Sequence, residues 1–126
     1  MPLTRVALLK GKSRAYRKAI LDGVYKAMRE AFDVPEGDLF MLIDEYKPSN
    51  FLYGETYLGI ERDDDLVIIQ ITANNTRTTE KKKALYAKIV ELLGEDPGIK
   101  PENIFINLVE VQKENWSFGN GIAQYG

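Results

Sequence analysis

The chain has 126 residues, 44% of them hydrophobic, and a formal net charge of −2 with acidic and basic residues mixed along it. That is one domain of ordinary size with a real core, and it offers no basic stripe for nucleic acid. There is no cysteine and no histidine, which excludes disulfide frameworks, thiolate chemistry, His-based triads and most transition-metal sites; any catalysis must use carboxylates, Arg, Lys, Tyr or the amino terminus, with no metal and no cofactor.

Arg5 to Leu9 reads as a buried strand closed by Lys10-Gly11-Lys12, with Ser13 as the N-cap of the helix that follows. Ala15, Ala19, Ile20, Val24, Ala27, Met28 and Ala31 recur at spacings of three and four and give that helix its apolar stripe. The cluster Asp33-Val34-Pro35-Glu36-Gly37 ends it, and Leu39 to Ile43 makes a second strand. From Asp44 to Asp65 the pattern weakens into a connector, whose pieces Phe51 to Tyr53 and Thr56 to Ile60 suggest a hairpin. Leu66 to Thr72 is the most β-branched strand. Either Thr78 or Thr79 starts a second amphipathic helix, which ends at Gly94. Asn103 to Val109 is a fourth strand, and the remainder is too short and glycine-rich for a core element. The Lys81-Lys82-Lys83 run reads as a solvated helix face. No apolar run approaches the ~18 residues of a membrane span, and no signal-peptide core opens the chain. A cytoplasmic protein without a membrane or nucleic-acid partner is expected.

Sliding the chain by 65 residues lays Val34 to Phe40 over Ile99 to Phe105, Ile20, Val24 and Met28 over Leu85, Ile89 and Leu93, and Pro2 to Ala7 over Val67 to Thr72. A β-α-β unit occurring twice, at approximately 2–45 and 67–110 with a connector at 46–66 and a tail at 111–126, implies parallel strand pairs joined by crossovers. The expected fold is α+β: a four-stranded mixed sheet with two helices on one face. The other face, taken as lined by Val6, Leu8, Ile69 and Ile71, is left open, and an open apolar face is normally buried by another subunit. The tail would share in that oligomer contact.

Pro2 follows the initiator methionine. If Met1 is removed, Pro2 carries a free secondary amine, and α-amino groups titrate near ~8, so it could serve as base or cationic acid. The alternative is an inert strand start. A pseudo-twofold between the repeats would set Pro2 near Thr72 to Arg77.

The residues Met1-Pro2-Leu3, Glu30 to Pro35, Asp38, Leu58-Gly59, Gln70-Ile71-Thr72 and the stretch Trp116-Ser117-Phe118-Gly119-Asn120-Gly121-Ile122-Ala123-Gln124 resemble the tautomerase superfamily, most closely its malonate semialdehyde decarboxylase group. The resemblance spans essentially the whole chain. It implies a homotrimer with sites at subunit boundaries, Pro2 as the catalytic proline, Asp38 as its supporting aspartate and Arg77 as one of two arginines that bind a substrate carboxylate. Trp116 and Phe118 correspond to an apolar wall, and also suit packing at a subunit contact. Where the group has its first arginine, this chain has Asn74-Asn75-Thr76, with Asn75 taken as the substrate-binding residue, so a second cation is missing. The function expected is keto-enol tautomerisation of a small 2-oxo acid by Pro2. The alternatives are decarboxylation of a 3-oxo acid, as in malonate semialdehyde decarboxylase, or a non-catalytic oligomeric binding protein of the same fold.

Overall fold

The computed structural model describes residues 2–126. Strand β1 (Leu3–Leu9) leads into helix α1 (Arg14–Ala31), then β2 (Met41–Tyr46), β3 (Val67–Asn74), helix α2 (Thr79–Glu95) and β4 (Ile104–Val111). Ser13 caps α1 by accepting from the Tyr16 N–H, and Thr78, not Thr79, caps α2 by accepting from the Lys81 N–H. The sheet order is β2-β1-β3-β4. β1 runs parallel to β2 and antiparallel to β3, and β3 runs parallel to β4, so each helix is the crossover of a parallel pair. The α+β architecture with a mixed sheet is the expected one.

One face of the sheet packs on the helices. Ile20, Val24 and Met28 from α1 and Leu85, Ile89 and Leu93 from α2 are at most 1% exposed, and they meet Val6, Leu8, Ile69 and Ile71, at most 3% exposed. At about 1.5–3 kcal/mol for each fully buried large aliphatic side chain, this layer dominates the stability of the fold. The helices approach closely because Gly23 has no side chain: a Cβ there would come within 2.8 Å of Leu93 Cδ2.

The open sheet face therefore differs from the expected one. Val6, Leu8, Ile69 and Ile71 point into the core, and the open face carries their strand neighbours Arg5, Ala7, Ile68 and Gln70 with Leu42, Asp44, Phe105 and Asn107. Side chains alternate faces at period two, so an assignment off by one residue exchanges the whole set. The open face is mixed: Arg5 pairs with Asp44 at 3.6 Å and Gln70 donates to Asn107 at 2.9 Å, amid Phe105, Leu42 and Val109, which are 37–48% exposed.

The connector does not form a hairpin. It holds two short 3₁₀ turns, Pro48–Asn50 and Tyr57–Gly59. The guanidinium of Arg62 donates to the carbonyls of Gly54, Tyr57 and Ile60 at 3.0–3.2 Å. Those acceptors are thus drawn to a side chain instead of a strand ladder. No helix among the described residues is long and apolar enough to cross a membrane.

Candidate active site

The site forms where β1 begins and β3 ends. Pro2 is buried one residue before Leu3, which stands opposite Thr72. Antiparallel pairing carried one step on sets Pro2 opposite Ala73. On its other side Thr4 pairs with Met41, and the Thr4 N–H donates to the Phe40 carbonyl at 3.0 Å. Segment 38–40 is thereby drawn along the start of β1. Asp38 in that segment is 5% exposed. It closes a turn by donating its N–H to the Pro35 carbonyl at 3.2 Å. The turn depends on Gly37, whose φ of 88° suits glycine and whose N–H donates to the Tyr25 hydroxyl at 3.1 Å. The expected removal of Met1 concerns a residue outside the described range.

Arg77 stands just before the Thr78 cap, where the chain turns from β3 into α2. Its Nη2 donates to the Phe32 carbonyl at 2.8 Å, and its Cζ lies 4.5 Å from the centroid of the Phe32 ring. The remaining N–H groups of the guanidinium stay available for a bound anion. Beside it opens a cavity of about 390 Å³ lined by Asn74, Thr76, Arg77, Lys81, Asp33 and Tyr125 among others. Lys81 is ion-paired with Asp33, and this contact, with Arg77 adding to it, holds the Asp33 carboxyl below its usual range.

The tail builds the apolar wall. Trp116 and Phe118 stack with centroids 5.3 Å apart, Phe118 meets Tyr125 edge-on at 5.3 Å, and Phe40 lies 6.3 Å from Phe118. Such aromatic pairs contribute about 0.5–1.5 kcal/mol each beyond their area. Gln124 locks the loop by accepting from the Phe118 N–H at 2.9 Å and donating to the Gly119 carbonyl at 3.0 Å. Trp116 in turn donates its Nε1–H to Asn74 Oδ1 at 2.7 Å, which ties the wall to the end of β3.

Tyr125 lines the cavity beside Arg77 and packs on Phe118. Its phenol is pushed up first by burial and then by the negative charge of Asp38, with Arg77 opposing. The hydroxyl therefore stays protonated at neutral pH and is available as a donor.

Of the residues singled out in the sequence, Arg77 lines the cavity, Asp38 is within electrostatic reach of the same tyrosine, and Trp116 and Phe118 form the wall. Asn75 is exposed, and its N–H donates to the Val111 carbonyl at 3.0 Å; the asparagine in the cavity wall is Asn74. Sequence reasoning passed over Tyr125 and the cavity position of Lys81. The only signal for Tyr125 was an aromatic residue directly after the Gln124 that closes the tail motif.

Comparison with known proteins identifies a family for the chain. A family model described as "tautomerase enzyme" matches residues 38–119, and a second model of the same description matches residues 2–60. The probable tautomerase YusQ of Bacillus subtilis (strain 168) is 40% identical over 124 residues, 98% of each chain. Two solved malonate semialdehyde decarboxylases superpose with TM-scores of 0.91. One, solved in wild-type, mutant and inactivated forms, is 31% identical over 98% of this chain and 95% of its own. The other, FG41 malonate semialdehyde decarboxylase inhibited by 3-bromopropiolate, is 35% identical over 98% of this chain and 93% of its own. With family models and a 40% identical tautomerase relative together spanning the site elements from Pro2 to the tail wall, the chain belongs to the tautomerase family of enzymes.

Proposed function

We propose that this enzyme interconverts the keto and enol forms of a small 2-oxo acid, using the amine of Pro2 freed by removal of Met1. One observation carries the reading. Buried Pro2 precedes β1, buried Asp38 precedes the Phe40 carbonyl that accepts from Thr4, and β3, antiparallel to β1, runs out at the same end of the sheet into the Arg77 cavity, which Tyr125 also lines. Neutral Pro2 takes a proton from the carbon next to the carbonyl, the C–H electron pair becomes the C=C bond, and the carbonyl oxygen gains the negative charge. Protonated Pro2 returns its proton to that oxygen, which completes the enol and restores the neutral amine, and the reverse transfers regenerate the ketone. Arg77 holds the carboxylate by charge-assisted hydrogen bonds. Asp38 favours the cationic form of Pro2, while Arg77 and burial favour the neutral form.

Three copies would complete the assembly, the homotrimer that the resemblance implies, with the open sheet face and the tail at the contacts. The test begins with intact mass. A chain that retains Met1 has an amide at Pro2 and no base there, which ends the proposal. With Met1 removed, proton NMR in D₂O should show enzyme-dependent exchange of the methyl protons of pyruvate. Decarboxylation of malonate semialdehyde is a second reading, favoured by the close structural match to the two decarboxylases. Arg77 without a second arginine in its loop argues for a slow reaction, and efficient decarboxylation without exchange on 2-oxo acids would reverse the order of the two readings.

A further inference from the structure

Asp38 ends a turn whose central peptide is held from helix α1. The Asp38 N–H donates to the Pro35 carbonyl at 3.2 Å, and Gly37, the third residue of that turn, has a φ of 88° while Glu36 stays out of the left-handed region. This is the pattern of a type II turn, in which φ is positive at the third residue alone. Types I and II differ by a flip of the peptide between the second and third residues, here Glu36 to Gly37, and glycine accepts either form. The chain before the turn is tied to α1, where the Met28 carbonyl accepts the Phe32 and Val34 N–H groups at 3.0 and 3.2 Å, and the chain after it is tied to β1 by the Thr4 bond to Phe40. The turn's central peptide is the joint between these tied segments. Its N–H donates to the Tyr25 hydroxyl at 3.1 Å. Tyr25 is seated on α1 beside the buried Val24, with the Arg29 guanidinium 5.9 Å from its ring centroid.

We propose that Tyr25 is a positioning residue for Asp38: its hydroxyl holds the Glu36–Gly37 peptide in the type II orientation and so keeps the Asp38 carboxylate in place for the amine of Pro2. This deepens the proposed function and rests on reading Asp38 as the carboxylate that favours the cationic form of Pro2. With the hydroxyl gone, the peptide exchanges between the two turn forms, the carboxylate samples more positions, and its effect on the amine weakens. The other ionisable groups at the site keep their own partners: Asp33 with Lys81, Arg77 with the Phe32 carbonyl, and Tyr125 against Phe118. The change therefore reaches Pro2 through Asp38.

The test is Tyr25→Phe, which removes the hydroxyl and keeps the ring, read by NMR titration of the ¹⁵N-labelled Pro2 amine. The Gly37 amide proton should move upfield and exchange faster, the sign of a lost hydrogen bond. The pKa of the Pro2 amine should fall by about half the amount that Asp38→Asn lowers it. In the Asp38→Asn background Tyr25→Phe should lower it no further, because two changes that act through one carboxylate do not add. An amine unmoved by Tyr25→Phe overturns the proposal. So does an equal fall in both backgrounds, which is a structural effect independent of Asp38, a Gly37 amide unchanged in the variant, or an amine that Asp38→Asn leaves unmoved. A chain whose intact mass retains Met1 has no amine to act on and ends this inference with the proposed function. Pyruvate exchange measured in parallel separates the two otherwise. Exchange that persists with no coupling between Tyr25 and Asp38 removes the inference alone, and coupling at Pro2 in a protein that exchanges no pyruvate protons ends the 2-oxo acid reading and leaves the inference standing.

Discussion

Arg77 is held to Phe32 twice, by a 2.8 Å hydrogen bond to its carbonyl and by its ring 4.5 Å away. Phe32 is the C-cap of α1 and 1% exposed, so the guanidinium occupies the negative end of that helix and satisfies a carbonyl the helix leaves open. Helix α1 thereby aims a side chain that belongs to the α2 loop. Arg77→Lys keeps the charge and loses both the fork and the ring stack, and should raise KM for a pyruvate-type acid about tenfold. Arg77→Ala should lower kcat/KM roughly 10- to 100-fold, as expected for a lost charge-assisted contact. Steady-state kinetics with KM unchanged in both variants would remove Arg77 from the binding site.

The amino terminus has its own signature in pH. A negative charge nearby favours a protonated amine, so Asp38→Asn should let Pro2 become neutral at lower pH. If neutral Pro2 is the base, the acid limb of the pH–rate profile should move toward acid by about one unit. Pro2→Ala leaves a primary amine with more freedom of position, and activity should fall without vanishing. A profile unmoved by Asp38→Asn would separate that carboxylate from the proton transfer.

Association should run through the open sheet face. Phe105 is 47% exposed and Leu42 48%, and burying one such side chain is worth about 1.5–3 kcal/mol. Phe105→Glu should therefore shift sedimentation velocity profiles toward monomer at micromolar concentration. Wild-type protein that sediments as a monomer would refute the assembly itself.

What the sequence made legible follows from periodicity. The two helices, the Ser13 cap and the four strands rest on local rules, the cap of α2 stayed open between Thr78 and Thr79, and β2, expected at Leu39 to Ile43, moved only to Met41–Tyr46. The face of the sheet was misassigned because apolar residues occupy both parities: Val6 and Leu8 alternate with Ala7 and Leu9, and Ile69 and Ile71 with Ile68. Which parity is buried depends on where the helices lie, a tertiary fact. The connector failed for a similar reason, since one arginine, Arg62, takes carbonyls that a strand ladder would use. In the site, Arg77 was visible through the family pattern, whereas Asn74 and Tyr125 acquire meaning only from the tail that folds back on them.

Asn103 pins the connector to the start of β4. It is 1% exposed; its Oδ1 accepts the Asp63 N–H at 3.0 Å and its Nδ2 donates to Asp63 Oδ1 at 2.8 Å. The Asp63 carboxyl is held below its usual range first by the Asp65 N–H and then by the Asn103 amide. A carboxylate with a depressed folded value contributes stability that is complete above the unfolded value of about 3.9. That contribution is lost as pH falls through the folded value. Asn103→Ala should cost about 1 kcal/mol at neutral pH for the lost bond to the Asp63 N–H. It should also flatten the fall in stability between about pH 4 and the folded value, because one of the two hydrogen bonds that favour the ionised form would be gone. Urea melts of both proteins across that range check the two effects separately. Parallel acid limbs would mean that the Asn103 amide does not stabilise the charged form of Asp63.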